Sequence, residues 1–129
     1  MIIERNNYTY AVSEYCSNHT VALIAYQKGI EITEDTAPEA VVTINLEEYC
    51  MEPGQDEIFM PAYKLPADMC QQFLEDLQDH RSGQGPKLFS IGPYNASVYR
   101  VKLDPGIAAL IKIEQYKQEH SRKESQSWQ

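Results

Sequence analysis

The sequence predicts an α+β fold: a mostly antiparallel sheet of five to seven strands, one packed helix and a shorter C-terminal helix. Three observations support this prediction. A length of 129 residues suits one domain with one core. Short apolar runs, several with a period of two, are separated by turn residues. One later segment has the apolar spacing of a helix. The order, roughly five strands, a helix, two strands and a helix, is typical of an antiparallel sheet.

The strands are predicted from β-favouring residue types between turn signals such as Asn6-Asn7 and Pro53-Gly54. They lie at residues 1–15 (one or two strands), 20–26, 30–33, 40–46, 57–60, 87–91 and 97–103. In the strand over 30–33, Ile30 and Ile32 alternate with Glu31 and Thr33, which predicts a half-exposed strand after a hairpin turn.

The clearest helix is predicted from about Ala67 to His80. Pro66 suits the beginning of a helix because the first turn needs no backbone N–H donor there. Apolar residues recur at helical spacing, so Phe73 and Leu77 are expected to cover the sheet. The opposite face carries polar residues: Gln71, Gln72, Glu75, Asp76 and Asp79.

A second helix is predicted to begin at Asp104-Pro105-Gly106 and to lose its apolar pattern after Tyr116. Residues 1–116 are therefore expected to form a single α+β domain. Residues 117–129 are expected to form a flexible polar tail, because Trp128 is the only apolar anchor there.

The formal charge of −8 is unevenly distributed. Residues 31–79 contain thirteen acids and one base, Lys64, whereas residues 80–129 carry an excess of bases. An acidic domain repels phosphate groups, so no direct nucleic-acid binding is expected. No apolar run approaches the roughly 20 residues of a membrane helix, so no membrane association is expected. Three widely spaced cysteines argue against a disulfide framework, and we expect a cytoplasmic protein.

Cysteine and histidine offer the only hint of a metal or nucleophilic site. Cys16 and His19 are three residues apart, and Cys50 or Cys70 could join them. Structural zinc normally takes its ligands from two close pairs, and the sequence contains one such pair. A Cys–His nucleophile would also need an orienting group and an oxyanion hole. We therefore predict no enzyme activity, no cofactor and no metal.

Four segments between residues 18 and 103 together form one pattern. They are Asn18–Leu23, Thr43–Leu46, Glu57–Met60 with the following Tyr63, and Gly92–Tyr94 with Val98–Leu103. The pattern resembles a family of small proteins of unknown function encoded on bacterial phages and conjugative elements. The resemblance implies a mobile-element protein that acts by binding, and it provides no catalytic residues.

The predicted partner-binding site is the acidic middle of the chain, where nine acids fall within 27 residues without a base. With two interleaved tyrosines, the predicted residues are Glu31, Glu34, Asp35, Glu39, Glu47, Glu48, Tyr49, Glu52, Asp56, Glu57 and Tyr63. The expected partner is a host protein with a basic surface.

The predicted function is inhibition of a host defence or nucleic-acid-handling complex, of the anti-CRISPR or anti-restriction type. One alternative is an accessory or regulatory component of a phage or plasmid assembly. Another is an acidic face that only keeps the protein soluble. The oligomeric state is left open.

Overall fold

The structure is a computed structural model that describes residues 1–83 and 85–127. Its elements are β1 (Ile2–Glu4), β2 (Tyr8–Glu14), β3 (Val21–Gln27), β4 (Ala40–Val41), β5 (Glu57–Met60), α1 (Ala67–Leu77), β6 (Lys87–Ile91), β7 (Ala96–Lys102) and α2 (Pro105–Ser127). A 3-10 turn, Glu47–Tyr49, lies between β4 and β5. The predicted α+β class is confirmed.

The strands form two antiparallel sheets rather than the predicted single sheet of five to seven strands. Sheet A has the order β1-β2-β3-β4, and sheet B has the order β5-β7-β6. The chain passes from one sheet to the other just after β4. The Val42 N–H donates to the Leu23 carbonyl in sheet A (2.8 Å), and the Ile44 N–H donates to the Phe59 carbonyl in sheet B (3.0 Å). The alternation of apolar and polar residues along a segment does not show which strand that segment pairs with, so the sequence does not predict this change from one sheet to the other.

The strand predicted over 30–33 is wrong, because these residues belong to a loop between β3 and β4. The side chain of Thr36 fixes this loop: its hydroxyl accepts from the Thr33 N–H at 2.8 Å. The Thr36 N–H in turn donates to the Thr33 carbonyl at 3.1 Å. Threonine hydroxyls that bond nearby backbone groups in this way compete with a strand ladder.

The core lies between the inner faces of the sheets and the two helices. The alternation in β2 and β3 places Tyr10 and Leu23 in this core, where both are fully buried. From α1, Phe73 and Leu77 are fully buried against them, so the predicted packing of this helix is confirmed. A second, smaller cluster occupies the other face of sheet B and consists of Leu46, Phe59, Ile91 and Val98.

The polar face predicted for the first helix is wrong at two positions, because Asp76 in α1 and Asp79, two residues after its end, are buried. The Asp76 carboxylate, only 2% exposed, accepts hydrogen bonds from the turn between β1 and β2. The Tyr10 hydroxyl donates to Asp76 Oδ2 at 2.7 Å, and the N–H groups of Asn7 and Tyr8 donate to the same carboxylate at 3.2 Å. A helical residue predicted to face solvent therefore anchors the first hairpin.

The C-terminal helix is longer than predicted: α2 has 23 residues and α1 has 11. Asp104 caps its beginning, since the Asp104 Oδ1 atom accepts from the Gly106 N–H at 2.9 Å. The helix continues past Tyr116 because lysine, glutamine, glutamate and arginine are good helix formers. The Arg122 guanidinium also contacts the Glu14 carboxylate of β2. Trp128 lies outside the described residues.

Candidate protein-binding surface

The predicted acidic site is divided among three places in the fold. The first contains Glu31, Glu34, Asp35 and Glu39, which are all exposed in the loop between β3 and β4. The Glu39 N–H donates to the Ala25 carbonyl at 2.8 Å, near the C-terminal end of β3. This loop therefore lies beyond that end of sheet A.

The second place contains Glu47, Glu48, Tyr49 and Glu52, all of them exposed. The chain runs antiparallel to β3 from Ala40 onward. At Asn45 the chain lies beside the turn that precedes β3, because the Asn45 Oδ1 atom accepts from the Asn18 side-chain amide at 3.0 Å. Because this segment runs along β3 from its C-terminal end to the turn before its beginning, the first two groups lie at opposite ends of sheet A.

Exposed tyrosines lie beside the second group, at the turn between β6 and β7. The Tyr49 hydroxyl lies over Gly92, where an added Cβ would meet it at 3.1 Å. Gly92 also has a φ of +70°, which favours glycine. Two residues further on, Tyr94 is 94% exposed. The Tyr63 N–H donates to the Ser97 carbonyl (3.0 Å), which brings Tyr63, 49% exposed, to this same end of sheet B.

We call this region the Tyr49 surface and define it as Glu47, Glu48, Tyr49, Glu52, Tyr63 and Tyr94. Tyr94 is absent from the sequence-based prediction, which followed the acidic segment and ended at Tyr63. The signal that could have found it is the turn Gly92-Pro93-Tyr94-Asn95 between two strands, because a hairpin tip displays its side chains to solvent.

The exposed acids of the first two groups carry unneutralised charge. Within the described part of the chain, no salt bridge involves any of these seven carboxylates. On the Tyr49 surface, Glu47 and Glu52 line a hollow of about 310 Å³ together with Cys50 and Met51. Cations of a partner could thus pair with these carboxylates without displacing an internal partner.

The third place is a cleft that contains Asp56 and Glu57, which are half-buried. The Lys112 Nζ atom of α2 lies 2.9 Å from Asp56 Oδ1. The cleft has a volume of about 250 Å³. Its lining residues come from four parts of the chain: the beginning of β3 with its preceding turn, residues 53–57, Leu103 just after β7, and α2. We call it the Asp56 cleft.

The residues considered for a metal or nucleophilic site lie in different environments. His19 Nδ1 lies 3.3 Å from Glu14 Oε1, the oxygen that Arg122 also contacts. Cys16 and Cys50 are exposed, whereas Cys70 is buried in α1, and burial raises the pKa of its thiol. Among the side chains described, those of residues 1–83 and 85–122, no group of three or more His, Cys, Asp or Glu is arranged to hold a metal ion.

The helices are α1 and α2, and neither of them, over the residues described, is long and apolar enough to cross a membrane. Comparisons with protein-family models, with curated proteins and with solved structures found no match to this chain.

Proposed function

We propose that this chain is a non-enzymatic protein-binding module that docks the Tyr49 surface on a basic surface of another protein. The observation that carries the proposal is the combination of uncompensated carboxylates with exposed tyrosines at one end of sheet B. Tyrosine provides a large contact area at low conformational cost, and interface hot spots are enriched in it. Complementary charge adds specificity and speeds association.

The class of partner follows from charge. Strongly basic protein surfaces are typical of proteins that bind nucleic acids, because they neutralise phosphate groups. An acidic module that covers such a surface competes with the nucleic acid. We therefore propose that the partner is a host nucleic-acid-handling or defence complex and that the chain inhibits it.

Two charge-reversed variants test the proposal. Glu47→Lys with Glu48→Lys changes the Tyr49 surface, and Glu34→Lys with Asp35→Lys is the matched control at the far end of sheet A. Pull-downs from a bacterial lysate with the parent and with both variants, each analysed by mass spectrometry, should recover the same partner with the parent and the control. The Glu47/Glu48 variant should lose it.

The variant Tyr94→Ser tests the aromatic part of the surface without changing its charge. It should weaken capture of that partner while leaving the melting temperature unchanged, since Tyr94 is almost fully exposed. Equal capture by the parent and by both the Tyr94 and the Glu47/Glu48 variants would contradict the proposal.

A second candidate function is an accessory component of a larger assembly, and an apolar stripe on α2 favours it. Leu110, Ile113 and Tyr116 recur along this helix and are between 41% and 60% exposed. Such a stripe could pair with another copy of the helix. Size-exclusion chromatography with light scattering distinguishes the two functions: an obligate oligomer supports the assembly component, and a monomer supports the binding module.

A further inference from the structure

We propose that the Asp56 cleft is a socket for one arginine or lysine side chain of the protein partner. This inference rests on the proposed function, because it specifies how part of a basic surface is recognised. It also gives a role to Asp56 and Glu57, the two acids of the predicted site that lie away from the Tyr49 surface.

The interior of the cleft suits the aliphatic stem of such a side chain. Val21, Leu103 and Ile111 line it, together with Ala108. Long basic side chains bury their methylene groups on apolar surfaces of this kind while the charged head stays near polar groups. The volume of about 250 Å³ is sufficient for one such side chain.

Asp56 and Glu57 form the acidic wall of the cleft. The Asp56 backbone has a φ of +62°. Its carbonyl accepts from the Leu103 N–H at 2.8 Å, so the residue is held against sheet B. The Glu57 carboxylate lies directly over Gly54, at a point where any added Cβ would collide with it. A guanidinium group has five donors in a planar fork and could pair with both carboxylates.

Lys112 already shows how a cation fits at this wall. Its ammonium group reaches across from α2 and contacts Asp56 through one oxygen, Oδ1, at 2.9 Å. The Lys112 side chain is 52% exposed, so it can move away when another cation arrives. Lys112 therefore acts as an internal competitor for the socket. Its removal should strengthen the binding of an external cation, whereas removal of the Asp56 charge should weaken it.

The test uses N-acetyl-L-arginine amide as the probe and the full chain labelled with ¹⁵N. Titration should shift the backbone amide signals of Gln55, Ile111 and Gln115 in a saturable manner. The uncharged analogue N-acetyl-L-norvaline amide, which keeps only the stem, should shift them far less. Asp56→Asn is a conservative variant, because asparagine also tolerates a positive φ.

The two variants should move the affinity in opposite directions. Asp56→Asn should weaken binding of the arginine probe. Lys112→Met should tighten it about two- to fivefold, the range expected from releasing a partly exposed ion pair. Absence of saturable shifts with the parent and with Lys112→Met, or equal binding of the norvaline probe, would overturn the socket. Neither result would affect the proposed function, which the Glu47/Glu48 and Tyr94 variants test separately.

Discussion

Asp76 is buried on the helix face that the sequence predicts to be polar, because its carboxylate satisfies donors that would otherwise be unpaired. The turn between β1 and β2 directs the N–H groups of Asn7 and Tyr8 toward α1, and Tyr10 adds its hydroxyl. A buried carboxylate with several hydrogen bonds stabilises the fold, whereas a buried donor without a partner destabilises it. One side chain thus joins the first hairpin to the helix.

Replacement of Asp76 by alanine should therefore lower the free energy of unfolding by about 2–4 kcal/mol, because the buried Tyr10 hydroxyl and the part-buried N–H groups of Asn7 and Tyr8 lose a charged acceptor. Urea unfolding followed by circular dichroism measures the change. Gln71→Ala, at an exposed position of the same helix, is the matched control and should stay within about 0.5 kcal/mol of the parent. Equal stability of both variants would show that the Asp76 hydrogen bonds contribute little.

The phenol of Tyr10 should make the stability depend on alkaline pH. Burial, and then the hydrogen bond to Asp76, raise the pKa of Tyr10 far above its ordinary value of 10.0. Above about pH 10 the unfolded chain loses this proton and the folded protein keeps it, so stability should fall as pH rises, by up to about 1.4 kcal/mol per pH unit. Below about pH 10 the phenol is protonated in both states and contributes no pH dependence.

Urea unfolding of the parent and of Tyr10→Phe between about pH 9 and pH 11 measures this slope. The variant should lose part of the decline. Some should remain, because burial also raises the pKa values of Tyr8 and Tyr15. Identical slopes for the parent and for Tyr10→Phe would contradict the assignment to Tyr10.

At the scale of elements, the later part of α2 contacts β2 through Arg122 and Glu14. The Arg122 contact with Glu14 is partly exposed, and exposed ion pairs contribute little. Removal of residues 121–129 should lower the free energy of unfolding by no more than about 1 kcal/mol, and Arg122→Ala should account for most of that loss. Thermal unfolding of the three proteins tests this. A loss of several kcal/mol on truncation alone would show that the tail packs on the core.

The sequence predicts the elements well where their signal is local. Phe73 and Leu77 repeat with helical spacing, and residues 57–60 lie between turn signals, so α1 and β5 were found near their observed positions. The strand predicted over 30–33 is wrong because hydrogen bonds between Thr33 and Thr36 hold these residues in a loop, despite the short alternation of apolar and polar residues.

Contacts between distant segments are not encoded in local patterns. The division into two sheets depends on which strands meet, and the burial of Asp76 depends on a turn about 70 residues away in sequence. The candidate site shows the same limit. The run in the sequence predicts the acids, but the antiparallel course of residues 40–46 separates the first two groups, and contacts with Leu103 and Lys112 place Asp56 in the cleft. Tyr94 joins Tyr49 only because the turn between β6 and β7 folds next to it.

At the scale of the whole molecule, net charge should affect the association rate, whereas local contacts should affect the dissociation rate. The Glu47/Glu48 and Glu34/Asp35 reversals each change the formal charge from −8 to −4. Long-range attraction to a basic partner should therefore fall similarly in both, as slower association at low salt. Faster dissociation should appear only in the Glu47/Glu48 variant, which alters the Tyr49 surface.

Surface plasmon resonance with the captured partner, at low and at high salt, gives both rates. High salt should remove the difference in association rate between the parent and the variants and leave the difference in dissociation rate. Faster dissociation of the Glu34/Asp35 variant would place the contact in the loop between β3 and β4 instead.

The passage of the chain from sheet A to sheet B at Val42 and Ile44 has a consequence for unfolding. Two separate small sheets could melt independently. Here, however, the consecutive residues Val42 and Thr43 are hydrogen-bonded to sheet A, and the next residue, Ile44, is hydrogen-bonded to sheet B. The Thr43 hydroxyl accepts from the Leu23 N–H at 3.2 Å, and its neighbours bond the Leu23 and Phe59 carbonyls. Residues of both sheets also share one buried core, so the domain should behave as one cooperative unit. In native-state hydrogen exchange, the amides of Val42 and Ile44 should open only with the whole molecule.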